Sequence, residues 1–599
     1  MSLQAAYDAY AAGRLAEAER LCARLMREQP ARTDARSLHA VVLARLGRYA
    51  EAEAQLRELA AREPNEMLHA VNLGCVFLDQ NRVDGAVEWF REARALAPLD
   101  PGVNFNLGIT LYRMGDLPEA CDYLALALRL QPGLHDAAVY LARARLELGQ
   151  RGPAREALER ITTLDPLSAS TLNELGLAWA GLDEFTRAED LLQRALLVDP
   201  KLHEARINLA TLTEKRNQAE LTQSILEQVP EDLRGDPNFA LVQARLLARS
   251  GRNEEALQSL DRFATPAGLP ASLLSDVQFE RGKLLDRLGR YDQAYAALLE
   301  ANSLVRDNFR RFQQDIGDEN APIPWLERGL DTVEPYTSLR PVGEAEGAPV
   351  FIVGFPRSGT TLLDQILDSH PRLQVLEEKP ALDAVISELH HHPRGFPESL
   401  NALTDADWAA ARRVYWQSVG KYLTRRPGTT LVDKYPLHMV RVPLIRRLFP
   451  ASKIVLALRH PCDAVLSCFM QNFRFTEATH GFWSLEGSAR IYDQLMRQWE
   501  AQRAKYQPDV FEIRYEQLVE EFRVEVGRLI EFLGVGWDDA VLNYQQHALK
   551  RGAINTPSYN QVVKPIYKTA VGRWRHYRRY FDSSLPLLAA HIERLGYTA

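Results

Sequence analysis

The sequence predicts a multidomain chain, an N-terminal all-α solenoid followed by a C-terminal α/β domain built on a parallel sheet. Three observations carry this. Small and turn residues recur every 34 positions through the first third of the chain. Short apolar runs of β type alternate with helical patterns after residue 349. One of those runs passes through a Gly/Pro/Ser turn directly into a helix, in V-F-I-V-G-F-P-R-S-G-T-T-L-L from Val350 to Leu363.

Composition sets the bounds. At 599 residues the chain is too long for one ordinary domain. Apolar residues at 46% and charged residues at 25% are globular values. A net charge of -7 points away from nucleic acid as a partner. No apolar run approaches the roughly 20 residues that span a bilayer, and M-S-L-Q-A-A-Y-D-A-Y does not read as a secretory signal. Five cysteines, Cys22, Cys75, Cys121, Cys462 and Cys468, are odd in number and lack metal-ligand spacing. The expectation is a reduced, cytoplasmic protein.

In the first half, Pro30, Pro64, Pro98, Pro132, Pro166 and Pro200 stand 34 residues apart. Twelve residues before each lies an alanine: Ala18, Ala52, Ala86, Ala120, Ala154 and Ala188. Five before that comes a turn residue: Gly13, Gly47, Asn81, Gly115, Gly149 and Asp183. The turn residue lets two helices reverse, the alanine lets them close up, and the proline ends the second helix. Around Asn217 the pattern breaks, and two looser units follow at Gly251/Ala256 and Gly289/Ala294. The period and the small-residue positions resemble tetratricopeptide repeats, so residues 1–308 are expected to form an α-solenoid. Its concave face would take a protein or peptide partner, the acceptor of the reaction being one candidate. The alternative is an arm for stability or homodimerisation. Residues 309–348, rich in Pro, Gly and acidic residues, read as a connector.

From 349 onward the runs P-V-F-I-V-G (349–354), T-L-V-D-K (430–434), K-I-V-L-A-L-R (453–459) and V-F-E-I-R-Y (510–515) suit buried parallel strands. Ligands of such sheets sit beyond the strands' carboxyl ends, and there lie Arg357, Lys434, Arg459 and Tyr515. The turn after the first run aims backbone N–H groups and a helix N-terminus at one spot, an anion cradle. Gly354 and Gly359 have P-loop spacing, but Thr360 stands where a nucleotide triphosphatase needs lysine. Such a cradle suits a phosphosulfate better than a triphosphate.

Further motifs follow in order: D-S-H-P-R-L-Q-V-L-E-E, V-D-K-Y-P, R-H-P-C-D-A-V-L-S, R-Y-E-Q-L-V, N-Q-V-V-K-P with a later R-W, and R-L-G-Y. Together they make residues 349–598 resemble the 3′-phosphoadenosine 5′-phosphosulfate (PAPS)-dependent sulfotransferases, within which the tyrosylprotein sulfotransferases are most similar. The resemblance implies a P-loop-like sulfotransferase domain over 349–599 that uses PAPS and no metal. It implies that Arg357, Ser358, Gly359, Thr360 and Thr361 hold the 5′-phosphosulfate, with Arg357 near the reacting centre. Arg459 and Ser467 would hold the 3′-phosphate, and Tyr515 the adenine side. Arg573, where the family usually has lysine before tryptophan, would add a cation at the phosphate end. Glu378 falls on the general base, with Glu377 its rival, and Lys434 and Ser558 fall on the groups that stabilise the leaving oxygen. Lys379 and Pro380 replace the family's threonine and arginine after the glutamate pair, and Gln471 replaces a basic residue. The donor half of the pattern is therefore better kept than the acceptor half. The reaction expected is sulfuryl transfer to an acceptor hydroxyl, a peptide tyrosine among the candidates. The alternatives are a P-loop-type nucleotide kinase and a scaffold with a catalytically dead α/β domain.

Overall fold

The structure is a computed structural model, and it describes residues 2–161, 167–265, 269–312, 347–473, 479–551 and 569–598. Pro166 and most of the 309–348 connector lie outside the described residues.

The N-terminal region is a tetratricopeptide-repeat solenoid of antiparallel helix pairs, the first being Leu3–Ala11 with Leu15–Glu28. Each predicted turn residue has a left-handed backbone, with φ from 58° at Asn81 to 93° at Gly115. The six alanines are fully buried where the paired helices meet. The break expected near Asn217 does not occur. Asn217 turns the chain at φ 60°, in phase with the earlier units, between helices His203–Lys215 and Ala219–Glu227. Thr222 stands in the alanine's place, fully buried, and its hydroxyl donates to the Gln218 carbonyl at 2.9 Å. A hydroxyl satisfied within its own helix can take the alanine's position, which the residue pattern alone does not show. Two further pairs follow, Pro237–Arg249 with Asn253–Asp261 and Ala271–Arg287 with Tyr291–Phe312.

By packing, the chain divides at Leu209, and the hairpins from Ala210 onward stand in one compact unit with the C-terminal sheet. Within that unit the last hairpin is tied to the α/β part by specific contacts. Asn302 donates to the Phe469 carbonyl at 3.0 Å, Asn472 donates to Asp276 at 2.7 Å, and the Tyr295 and Tyr580 rings stack at 3.7 Å.

The sheet has five parallel strands: β1 (Val350–Gly354), β2 (Leu373–Glu377), β3 (Thr430–Lys434), β4 (Lys453–Leu458) and β5 (Asp509–Arg514). Their order is β2-β3-β1-β4-β5. Four match the runs read from sequence. β2 carries a polar Gln374 at its centre, which weakens the apolar signal, yet that amide is buried and bonds the Thr424 carbonyl and the Arg426 amide. Alternate β1 residues serve opposite cores: Phe351 and Val353 one, Val350 and Ile352 the other. Both faces are covered, as parallel sheets require. From β1 the chain leaves toward β2, and from β4 toward β5, so the crevice between the ends of β1 and β4 is a topological switch point.

Candidate functional site

The turn after β1 is shaped by positions that admit almost no substitution. Gly354 pairs with Ala457 of β4, and a Cβ on it would sit 2.5 Å from the Ala457 carbonyl oxygen. Gly359 caps the helix Thr360–Asp368 at φ 98°, and a Cβ there would meet the Tyr515 ring at 2.9 Å. Ser358, Thr360 and Thr361 are buried in this turn. Arg357 holds a left-handed φ of 71°, a cost of order 1–3 kcal/mol for a non-glycine residue. That backbone aims its side chain across the crevice, where Nε donates to Ser467 Oγ at 3.1 Å.

Arg459, just past β4, completes the group. Its Nη1 donates to the Arg357 carbonyl at 3.1 Å and its Nη2 to the Ala570 carbonyl at 2.6 Å. The Tyr515 ring lies 5.0 Å from its guanidinium carbon. Its Nε is buried and has no acceptor among the described residues. Arg357, Arg459, Ser467 and Tyr515 are thus brought together beside the Gly359 turn. A buried donor left open next to two guanidiniums and a helix N-terminus fits a phosphate-type anion.

A second constellation stands at the ends of β2 and β3. Lys434 is fully buried, and its Nζ lies 2.7 Å from Glu378 Oε1, 3.0 Å from Asp364 Oδ2 and 3.8 Å from Glu377 Oε1. Burial alone would lower the lysine's pKa, but the charges of Glu378, Asp364 and Glu377 outweigh it and hold the ammonium protonated above its ordinary range. The rival glutamates separate here. Glu377 is the last residue of β2 and buried, whereas Glu378 sits at φ 46° with its side chain 32% exposed. Glu378 is the carboxylate an acceptor can reach.

Behind Lys434, Asp433 is fully buried and accepts from the Tyr415 hydroxyl at 2.8 Å. Burial raises its pKa, the Tyr415 bond lowers it, Asp383 raises it and Arg441 lowers it, and the carboxyl ends pushed up to about 7. A raised carboxyl binds its proton more tightly when folded, so stability falls as pH rises from about 4 toward 7. Asp433→Asn should remove a slope of up to about 1.4 kcal/mol per pH unit in this window. Urea unfolding of both proteins at pH 5 and pH 7 measures it, and parallel pH dependences would refute the assignment.

Two expected residues stand apart from these groups. Arg573 turns its guanidinium onto Asp286 of the last hairpin, Nε lying 3.0 Å from Oδ1 with a second contact from Nη2 to Oδ2. Ser558 lies outside the described residues. Sequence reasoning missed Asp364, Asp463 and Asp286. Each is a carboxylate in a helix, and its partner is a residue far away in the chain. Among the described residues no helix is long and apolar enough to cross a membrane.

Comparison with known proteins agrees with this geometry. Residues 349–539 match the sulfotransferase family, and residues 9–71, 71–135, 141–203 and 237–262 match tetratricopeptide repeats. An uncharacterized protein of Aquifex aeolicus (strain VF5) is 27% identical over 355 residues, 57% of this chain, which spans 45% of that protein's length. Protein-tyrosine sulfotransferase A of Caenorhabditis elegans is 27% identical over 315 residues, 49% of this chain and 76% of the relative. The crystal structure of the APC/C hetero-tetramer Cut9–Hcn1 aligns with a TM-score of 0.35 and 19% identity, over 44% of this chain and 52% of that one. The chain is thus a tetratricopeptide-repeat protein that carries a sulfotransferase-family domain resembling the protein-tyrosine sulfotransferases.

Proposed function

We propose that this chain moves a sulfuryl group from PAPS to an acceptor hydroxyl. The observation that carries the reading is the crevice between β1 and β4, where Arg357, Arg459 with its open Nε, Ser467 and the Gly359 helix terminus converge. PAPS would supply the activated sulfuryl group there. The residues fit it in two places: the turn 357–361 for the 5′ end, and Arg459 with Ser467 for the 3′-phosphate. Tyr515, over Arg459 and against Gly359, gives the adenine side a flat wall.

Glu378 is placed to take the acceptor's proton as its oxygen bonds to sulfur, while the bond from sulfur to the phosphate oxygen breaks. Among three carboxylates Lys434 has little freedom to reach the leaving oxygen. We read it first as the residue that holds Glu378 in place and keeps that carboxyl ionised. A peptide tyrosine is the acceptor favoured by the name of the Caenorhabditis elegans relative, and the repeats would bind or position a protein partner.

Calorimetry with adenosine 3′,5′-bisphosphate and with ATP tests the donor reading. The bisphosphate should bind and ATP should not, and Arg459→Ala should weaken the bisphosphate about tenfold or more, as loss of a charge-assisted contact implies. Preference for ATP would return the nucleotide-kinase reading, and binding of neither would favour the scaffold.

A further inference from the structure

The segment from residue 569 to Tyr580 crosses the donor site as a strap, turning at Gly572 with φ 70° into the 3₁₀ stretch Arg573–Tyr580. It touches the site through Ala570, whose carbonyl takes Arg459 Nη2. Two carboxylates hold the strap down. Asp463, in the first turn of the helix Pro461–Phe469, accepts from the Gly572 amide at 2.7 Å and the Trp574 amide at 2.8 Å. Asp286 accepts from Arg573 through two contacts and from the Tyr577 hydroxyl at 2.6 Å.

The two carboxylates differ in origin. Asp463 belongs to the sulfotransferase-family domain. Asp286 belongs to the helix Ala271–Arg287 of the last repeat hairpin and sits in that helix's final turn. An acid there opposes the helix dipole, an unfavourable contribution of about 0.3–1 kcal/mol. Helix stability therefore does not explain this aspartate, and its bonds to the strap do. The rest of the hairpin clasps the same elements. Tyr291 stacks on His576 at 4.2 Å, and Asn302 bonds the Phe469 carbonyl at the end of the helix that bears Ser467. Trp574, buried, stacks on His460 at 5.2 Å, so the strap also braces the residue next to Arg459.

We propose that Asp286 is a positioning residue of the donor site. Through Arg573 and Tyr577 it fixes the strap whose Ala570 carbonyl orients Arg459, so the repeat array shares in setting donor affinity. This assigns Arg573 an anchoring role in place of a direct phosphate contact. The inference rests on the reading that Arg459 binds the donor's 3′-phosphate. Linkage makes the effect reciprocal, so bound nucleotide must tighten the hairpin's hold on the strap by the same free energy.

The test uses the full chain and adenosine 3′,5′-bisphosphate, with dissociation constants for the wild type and for Asp286→Asn, Asp286→Glu, Tyr577→Phe and Arg459→Ala. Asp286→Asn should weaken binding about tenfold, Tyr577→Phe less, and Asp286→Glu should recover part of the loss. Amide exchange at Gly572 and Trp574 should quicken in Asp286→Asn, while exchange within β1 and β4 stays as in the wild type. Should Asp286→Asn not fold, Tyr577→Phe carries the same test in milder form. Wild-type affinity in Asp286→Asn (or in Tyr577→Phe where that stands in), with Arg459→Ala impaired, overturns the proposal and leaves the donor site standing. A wild-type chain that does not bind the bisphosphate overturns both.

Discussion

Replacing Glu378 with glutamine should lower turnover about a hundred- to ten-thousand-fold, the range expected on losing a general base, with bisphosphate affinity nearly intact. The split follows from geometry. Glu378 meets Lys434, whereas Arg357, Arg459 and Ser467 form a separate group across the crevice between β1 and β4. The glutamine keeps the shape and a carbonyl oxygen for Lys434, but it cannot accept a proton. Glu377→Gln is the matched control, because Glu377 is buried and more distant from the ammonium, at 3.8 Å. Transfer of label from PAPS to a tyrosine peptide or to fractionated cell extract, with calorimetry in parallel, gives both readouts. Unchanged turnover in Glu378→Gln, or an equal loss in Glu377→Gln, would reject Glu378 as the base.

Lys434→Ala should unfold the domain at markedly lower urea, with a loss of about 3–5 kcal/mol, as when one partner of a buried ion pair is removed. The alanine leaves Asp364 and Glu377 buried around a hole with no cation. A double variant with Asp364→Asn should regain part of the loss, since one stranded charge is gone. The lysine's raised pKa fixes the pH window. Its stabilisation is complete below the ordinary value of 10.5 and fades as pH climbs through the higher folded value. At neutral pH the full effect should be visible, and a loss below about 1 kcal/mol would mean the cluster tolerates its own charge.

Local features proved legible in the sequence, and tertiary ones did not. The repeats were readable because turn, alanine and proline all lie within one unit and each has a local steric cause. The seventh hairpin escaped because Thr222 substitutes chemically for alanine, and its second helix, Ala219–Glu227, is short. In the α/β domain the strand ends announced Arg357, Lys434, Arg459 and Tyr515, because a charged or polar residue closing an apolar run is conspicuous. Asp364 was invisible by the same logic, since in T-T-L-L-D-Q-I-L-D an acid at helical spacing looks like a solvated face, and only Lys434 reveals otherwise. Arg573 was noticed for its tryptophan neighbour, but its carboxylate partner lies 287 residues earlier.

The clasp between the final hairpin and the catalytic sheet has a practical corollary. A fragment trimmed to the enzyme-like stretch would strip the cover from Phe469, His576 and Tyr580 and leave Arg573 without its counter-ion. The smallest autonomous enzyme is therefore larger than its recognisable signature, and it begins among helices that by their pattern seem to belong to another module.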